Sequence, residues 1–336
     1  MIAPLDDGSA SGASVPERNN HASRDGLFVQ PTLTKARARN MVRDATFDGT
    51  ISGNVYASPL YVDGSPGVFV IATENNQVSV LDENTGRPVW QNTYGQSAGR
   101  SGAGCGNITP LGITGTPAID LATRTIYFNA VIGTSTTITD HVIHAVSLDD
   151  GTERPGWPVS ARSISDGGEA FNPVVHNQRS ALLLANGVLY VAYSGHFGDC
   201  GAYRGWLFGI DTSAPQNVKV YKTGGDHGGG IWATGGPASD GTQVYVTTGN
   251  TFGANVWSGG EAVVRLQSGP VYSGQPSDFF APANWTALDA SDLDLSGSGP
   301  VVVDAPAFTP SQLVLAFGKD GNMFVLDRNN LGGIGA

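Results

Sequence analysis

One pattern recurs five times in this chain and restricts what it can fold into. An apolar strand opens on small residues or proline, a turn follows, and a second apolar strand leads through a loop to a third that ends in Leu-Asp or its equivalent. The clearest copy runs Ser58-Pro59-Leu60-Tyr61-Val62, then Val68-Phe69-Val70-Ile71-Ala72, then Gln77-Val78-Ser79-Val80-Leu81-Asp82. The other copies begin at Thr116-Pro117, Ser180-Ala181, Gly236-Pro237 and Gly299-Pro300, a period of roughly sixty residues. Strand-and-turn signal at such a period predicts a radial array, in which each unit buries its faces against its neighbours. The fold class expected is therefore all-β, a propeller of four-stranded blades.

Composition agrees and narrows the partners. The 47 glycines and a charged fraction of only 14% suit a β protein with many tight turns. Eighteen basic against 29 acidic residues leave a net charge of −11, which argues against nucleic acid and anionic membranes as partners. No apolar run approaches the roughly 18 residues that span a bilayer. Cys105 and Cys200 are too few for a disulfide framework; they pair if the fold brings them together, and otherwise are two thiols. Scarce lysine with abundant Ser, Thr, Asn and Gly leans toward a secreted or periplasmic protein, although Met1 to Asp25 lacks the basic start and apolar stretch of a signal peptide.

Residues 1–26 are polar and read as a disordered lead-in, with a single domain over 27–336. Five units fall at about 53–97, 110–160, 177–225, 230–282 and 296–336. The first has a fourth strand, Pro88-Val89-Trp90-Gln91-Asn92, whereas the fifth stops near Leu331 where its fourth should begin. An orphan strand-like piece at about 41–50 (Met41, Val42, Ala45, Phe47) would fill that place, closing a five-bladed ring and removing its open edges. The alternative is an arc of a larger ring.

The segment Val80-Leu81-Asp82-Glu83-Asn84-Thr85-Gly86-Arg87-Pro88-Val89-Trp90 resembles the docking repeat of quinoprotein-alcohol-dehydrogenase-like, or PQQ-like, propellers. In that repeat the Trp packs between blades while Asp and Gly shape the turn. Weaker copies stand at Val146 to Gly151 with Trp157, at Gly209-Ile210-Asp211 and at Val325-Leu326-Asp327. The segments around Cys105-Gly106-Asn107, Tyr203-Arg204-Gly205-Trp206 and Gly318-Lys319-Asp320-Gly321 look like a bacterial subgroup of that family with no assigned activity. For the dehydrogenases the resemblance implies PQQ and Ca²⁺ as cofactors. Those enzymes carry two adjacent cysteines over the quinone, and this chain does not.

In a propeller, loops between blades and loops between the second and third strands of a blade emerge on one face, so their polar residues converge on a funnel. Here they offer Glu74, His176, His196, Asp199, Tyr203 and Glu261 as binding residues. The run Gly224 to Trp232 brings Asp226 and His227 onto a Gly-rich entry, as a general base or metal ligand, or simply as a tight inter-blade crossing. On a quinone reading, Arg179 and Lys319 would meet the quinone oxygens, with Trp232 beside them, and Asp226 or His227 would take the hydroxyl proton. The loop from Ser194 to Arg204 has no zinc-ligand spacing and reads as a hairpin tip pinned by Asp199 and Arg204. Asp289, Asp292 and Asp294 match no calcium loop and read as a solvated acidic turn. The function expected is a monomeric, exported propeller binding a polar small molecule, a cation or a protein segment, with no metal assigned. Two alternatives are a PQQ/Ca²⁺-dependent alcohol or sugar dehydrogenase and a hydrolase using two carboxylates from Glu74, Glu169, Asp199, Asp226 and Glu261.

Overall fold

The computed structural model describes residues 14–30, 33–99 and 104–336. Five antiparallel sheets follow one another along the chain at the places the repeat marks. Blade one holds Leu60–Val62, Val68–Ala72, Gln77–Asp82 and Pro88–Thr93; blade two holds Ala118–Asp120, Thr125–Gly133, Ile138–Ser147 and Val159–Ser160. Blade three holds Leu183–Ala185, Val188–Gly195, Trp206–Asp211 and Val218–Lys222, and blade four Ala238–Ser239, Gln243–Thr248, Ala262–Gln267 and Phe279–Ala281. Blade five has three strands, Val301–Asp304, Gln312–Phe317 and Met323–Asp327. Two short α-helices, Lys35–Arg39 and Trp285–Ser291, lie outside the blades.

Strand periodicity explains how the blades adhere. Successive side chains point to opposite faces, so one strand serves two seams. In blade three, Leu189 and Val191 pack toward Tyr127 and Ile143 of blade two, while Tyr190 and Ala192 pack toward Val244 and Val246 of blade four. Val70 and Val80 meet Ile126 and Phe128 across the first seam, and Tyr245 and Val263 meet Val302 and Val314 across the last. The docking repeat does what its residues suggest. Trp90 Nε1 donates to the Leu148 carbonyl at 2.8 Å, and Tyr94 OH to that of Gly151 at 2.8 Å. Asp82 accepts the backbone N–H groups of Asn84 and Thr85, and Gly86 takes φ +71, a left-handed turn that glycine enters without steric cost.

Two expectations are corrected. The segment at 41–50 forms no fourth strand for blade five: Asp48 N–H donates to the Thr85 carbonyl and Phe47 lies edge-on to Phe69, both in blade one. Among the described residues four apolar seams join the five blades, and none joins blade five to blade one. Met323 and Val325 are about half exposed on the last strand of blade five. The reason is local: 41–50 carries too few alternating apolar residues to cover a blade face, and its one large aromatic finds Phe69 nearby.

The second correction concerns the lead-in. Residues 1–13 lie outside the described residues, but 14–26 are packed across the inner strands. Val15 pairs with Tyr61 of blade one, Ile119 N–H of blade two donates to the Pro16 carbonyl, Ser239 N–H of blade four to Ala22, and Val302 N–H of blade five to Ser23. Arg24, 2% exposed, donates to the carbonyls of Leu182 (2.8 Å) and Pro237 (2.9 Å) and pairs with Glu17 at 2.8 Å. A polar segment thus satisfies inner-strand groups that face the axis, where no apolar face is available to bury.

Candidate ligand site at the funnel mouth

The two sets of loops meet on one side of the blades, as the propeller reading requires. Ile113 N–H of a connector donates to Thr73, Gly228 N–H to Tyr203, and Gly229 N–H to Asn250. Asn250 N–H in turn reaches Asp294 Oδ1 at 2.9 Å, and Asp294 pairs with Lys319 at 2.5 Å. Cys105 and Cys200 form a disulfide that ties the connector into blade two to the hairpin of blade three.

Trp232, Arg179 and Lys319 come together at this mouth from three separate segments. The Arg179 guanidinium carbon and the Lys319 ammonium each lie 5.2 Å from the Trp232 ring centroid, within cation–π range. Gly249 backs this cluster: a Cβ there would sit 2.6 Å from Asp294 Oδ1 and 3.0 Å from Trp232 Nε1. The two cations differ in their partners. Burial works against the Lys319 charge, but pairing with Asp294 and Asp292 holds its pKa above the ordinary value. Arg179 has no ion pair among the described residues; its Nη2 donates to the Gly195 carbonyl at 3.3 Å and its Nε is buried without an acceptor. Burial lowers the Arg179 pKa, and nearby Asp199 and Asp294 offset this only in part. The mouth therefore presents a largely desolvated guanidinium with hydrogen-bonding capacity unused, beside an aromatic ring.

Other candidates lie elsewhere. Glu74 and Glu261, expected at the mouth, are fully buried in the junctions of blades one and two and of blades four and five. Each accepts one N–H of the following connector, Gly112 and Leu295 respectively, both at 2.6 Å, and leaves its other oxygen unpartnered. Burial raises their pKa values to about 7 and about 8. His176 and His196 are also inside: His176 Nδ1 meets the Asn172 carbonyl at 2.7 Å and His196 Nε2 that of Val174 at 3.2 Å. Burial holds both at about 4, so they are neutral imidazoles at pH 7.

Tyr203 is buried and donates to Asp199 at 2.6 Å, which pins the hairpin tip. Arg204, expected to pin the same tip, reaches out to Glu169 (3.2 Å) and Asp226 (3.5 Å). Asp226 is fully exposed, while His227 packs against Phe252 with ring centroids 4.6 Å apart. The two adjacent residues therefore form no catalytic dyad. Of the five hydrolase carboxylates, Glu74 and Glu261 are sealed in different junctions, Asp199 is held by Tyr203, and Glu169 and Asp226 share Arg204 as their ion-pair partner. The acidic turn is only partly solvated: Asp292 is exposed, but Asp294 is 2% exposed and bonded on two sides. Its spacing gave no hint of this, because the lysine that neutralises it is 25 residues downstream.

No family model and no curated protein sequence matches the chain. Solved structures do. A quinohemoprotein alcohol dehydrogenase from Comamonas testosteroni is similar with a TM-score of 0.71 at 15% identity, over 97% of this chain and 49% of that one. A europium-containing methanol dehydrogenase gives 0.68 at 15% identity, over 97% and 57%. A quinohemoprotein alcohol dehydrogenase from Pseudomonas putida HK5 gives 0.63 at 15%, over 95% and 47%. The chain thus spans about half the length of the structures it matches. The architecture is a β-propeller. Within that class the fold is similar to that of these alcohol and methanol dehydrogenases, and at this identity the likeness is one of fold alone.

Proposed function

We propose that this PQQ-like propeller is an exported binding protein whose funnel mouth takes a polar small molecule bearing carboxylate groups, against Arg179, Trp232 and Lys319. The observation that carries the reading is Arg179: a partly buried guanidinium whose Nε bonds nothing among the described residues, with no carboxylate partner and an aromatic ring alongside. A flat carboxylated ligand supplies the missing acceptor and covers the ring, and Arg matches carboxylate oxygens as a fork. The Cys105–Cys200 disulfide supports export, because such bonds persist in oxidising compartments.

A quinoprotein-type oxidoreductase is the second reading, favoured by the convergence of the three residues expected to cradle a quinone. The cradle fits a flat, carboxylated quinone. The rest of the chemistry does not fit: Asp226 is in open solvent against Arg204, and no group of three or more His, Cys, Asp or Glu among the described residues could hold a metal.

Titration with naphthalene-2,6-dicarboxylate and with PQQ, followed by tryptophan fluorescence and calorimetry, separates these readings. Binding of both, weakened at least about tenfold by Arg179→Ala, is expected; a tenfold loss is about 1.4 kcal/mol. Reduction of a dye by ethanol or glucose only when PQQ and Ca²⁺ are present would favour the oxidoreductase. If neither compound binds, both readings fail.

A further inference from the structure

Beside the Trp232 cluster lies a cleft of about 680 Å³ between the blade-three hairpin, the loop at 250–255 and the helix Trp285–Ser291. Asp199, Asp289 and Asp292 line it, together with Asn250, Asn255 and Phe252, and no basic side chain does. We infer that this cleft is a binding site for a bulky organic monocation of the alkylammonium type. The inference is independent of the anion reading at Arg179.

Three observations carry it. First, Asn250 is 7% exposed and lines the cleft, yet its side-chain amide has no hydrogen-bond partner among the described residues. Its backbone is fully engaged, with N–H to Asp294 and carbonyl from Gly229, so the residue is held rigidly while its amide is left for something in the cleft. The amide is not among the fully enclosed unpartnered groups, so it stays reachable from the cleft.

Second, the carboxylates are fixed and spread around the rim. Asp199 accepts from Tyr203 OH, and Asp289 accepts both the N–H and the hydroxyl of Thr251, at 3.0 and 2.9 Å. Asp292 lies 3.3 Å from Lys319. Groups committed in this way do not converge on one point, as a hard metal ion with about six to eight oxygen ligands requires. With Asp292 offset by Lys319, Asp199 and Asp289 leave the wide opening with an excess of carboxylate over cation, which suits a diffuse charge. Third, Phe252 has one side against His227 and remains 40% exposed on the cleft. An aromatic face next to carboxylates is the recognition chemistry of methylated ammonium groups, with an uncharged amide left over for a hydroxyl or carbonyl on the same ligand.

The test is calorimetric titration of the full chain with choline, with its uncharged isostere 3,3-dimethylbutan-1-ol, and with Ca²⁺ alone. Choline should bind, the isostere should bind at least about tenfold more weakly, and Ca²⁺ should not displace choline. Asp199→Asn with Asp292→Asn should reduce choline affinity at least about tenfold. Both aspartates sit at positive φ (+55 and +53), where asparagine is well tolerated, so this variant keeps the fold. Asn250→Ala removes an amide that bonds nothing in the protein, and should weaken choline several-fold with the melting temperature unchanged. Equal binding of choline and the alcohol, no binding of choline at 10 mM, or Ca²⁺ competing for the site would each overturn the inference.

Discussion

Arg24→Ala is expected to lower stability by about 3–5 kcal/mol, the loss seen when one partner of a buried ion pair is removed. The guanidinium is almost wholly enclosed and makes four contacts from one side chain: Glu17, and the carbonyls of Arg18, Leu182 and Pro237. Leu182 precedes the inner strand of blade three and Pro237 that of blade four, so the side chain fastens the leading segment to two blades at once. Alanine would leave three carbonyls unpaired and take the guanidinium away from Glu17. With a urea slope of about 3 kcal/mol/M, the unfolding midpoint should fall by about 1–1.7 M. Arg24→Lys should recover only part of this, because an ammonium cannot reach the same fork of acceptors. A midpoint within 0.2 M of the parent would show that residues 14–26 are dispensable.

The second large effect is a dependence of stability on pH. Glu261 has a folded pKa of about 8 against an ordinary 4.5, chiefly through burial, with the charges of Asp294 and Asp289 adding and the Leu295 N–H and Lys319 opposing. A carboxyl whose pKa is raised on folding binds its proton in the native state while the unfolded chain has released it. Its contribution is thus fully present below pH 4.5 and is lost as pH rises through about 8. Over that window it amounts to about 3–5 kcal/mol, at 1.36 kcal/mol per pKa unit. Glu74, raised to about 7, adds in the same direction at the first seam.

Glu261→Gln keeps an oxygen for the Leu295 N–H and removes the titration. Its urea midpoint should match the parent at pH 5 and exceed it clearly at pH 8. A variant destabilised equally at both values would mean that the carboxyl is ionised in the native state, and the account of this junction would fail.

These two residues also show where sequence reading stops. The repeat announced itself at Ser58-Pro59 and Gly236-Pro237 because strand alternation and turn chemistry are local properties, written within five or ten residues. The docking segment ending in Trp90 was legible for the same reason, since its turn is built from its own Asp82, Thr85 and Gly86. Arg179, Trp232 and Lys319, expected together on the quinone reading, lie on separate loops that the fold does gather. Glu74 and Glu261 came from loops of the same kind and went the other way, into seams. Nothing within their own segments distinguishes the two outcomes; the N–H groups that receive them belong to the next connector.

Alternating apolar strands and glycine turns were enough, on their own, to specify five blades, their order, and the side of the array on which the loops lie. Three-dimensional packing alone settled that the polar leading segment ties the inner strands together, and which acids keep their protons. Those outcomes turn on contacts between groups far apart in the chain, as Arg24 and Pro237 are at a separation of 213 residues, and on whether a charge loses its water, neither of which any short stretch of chain encodes.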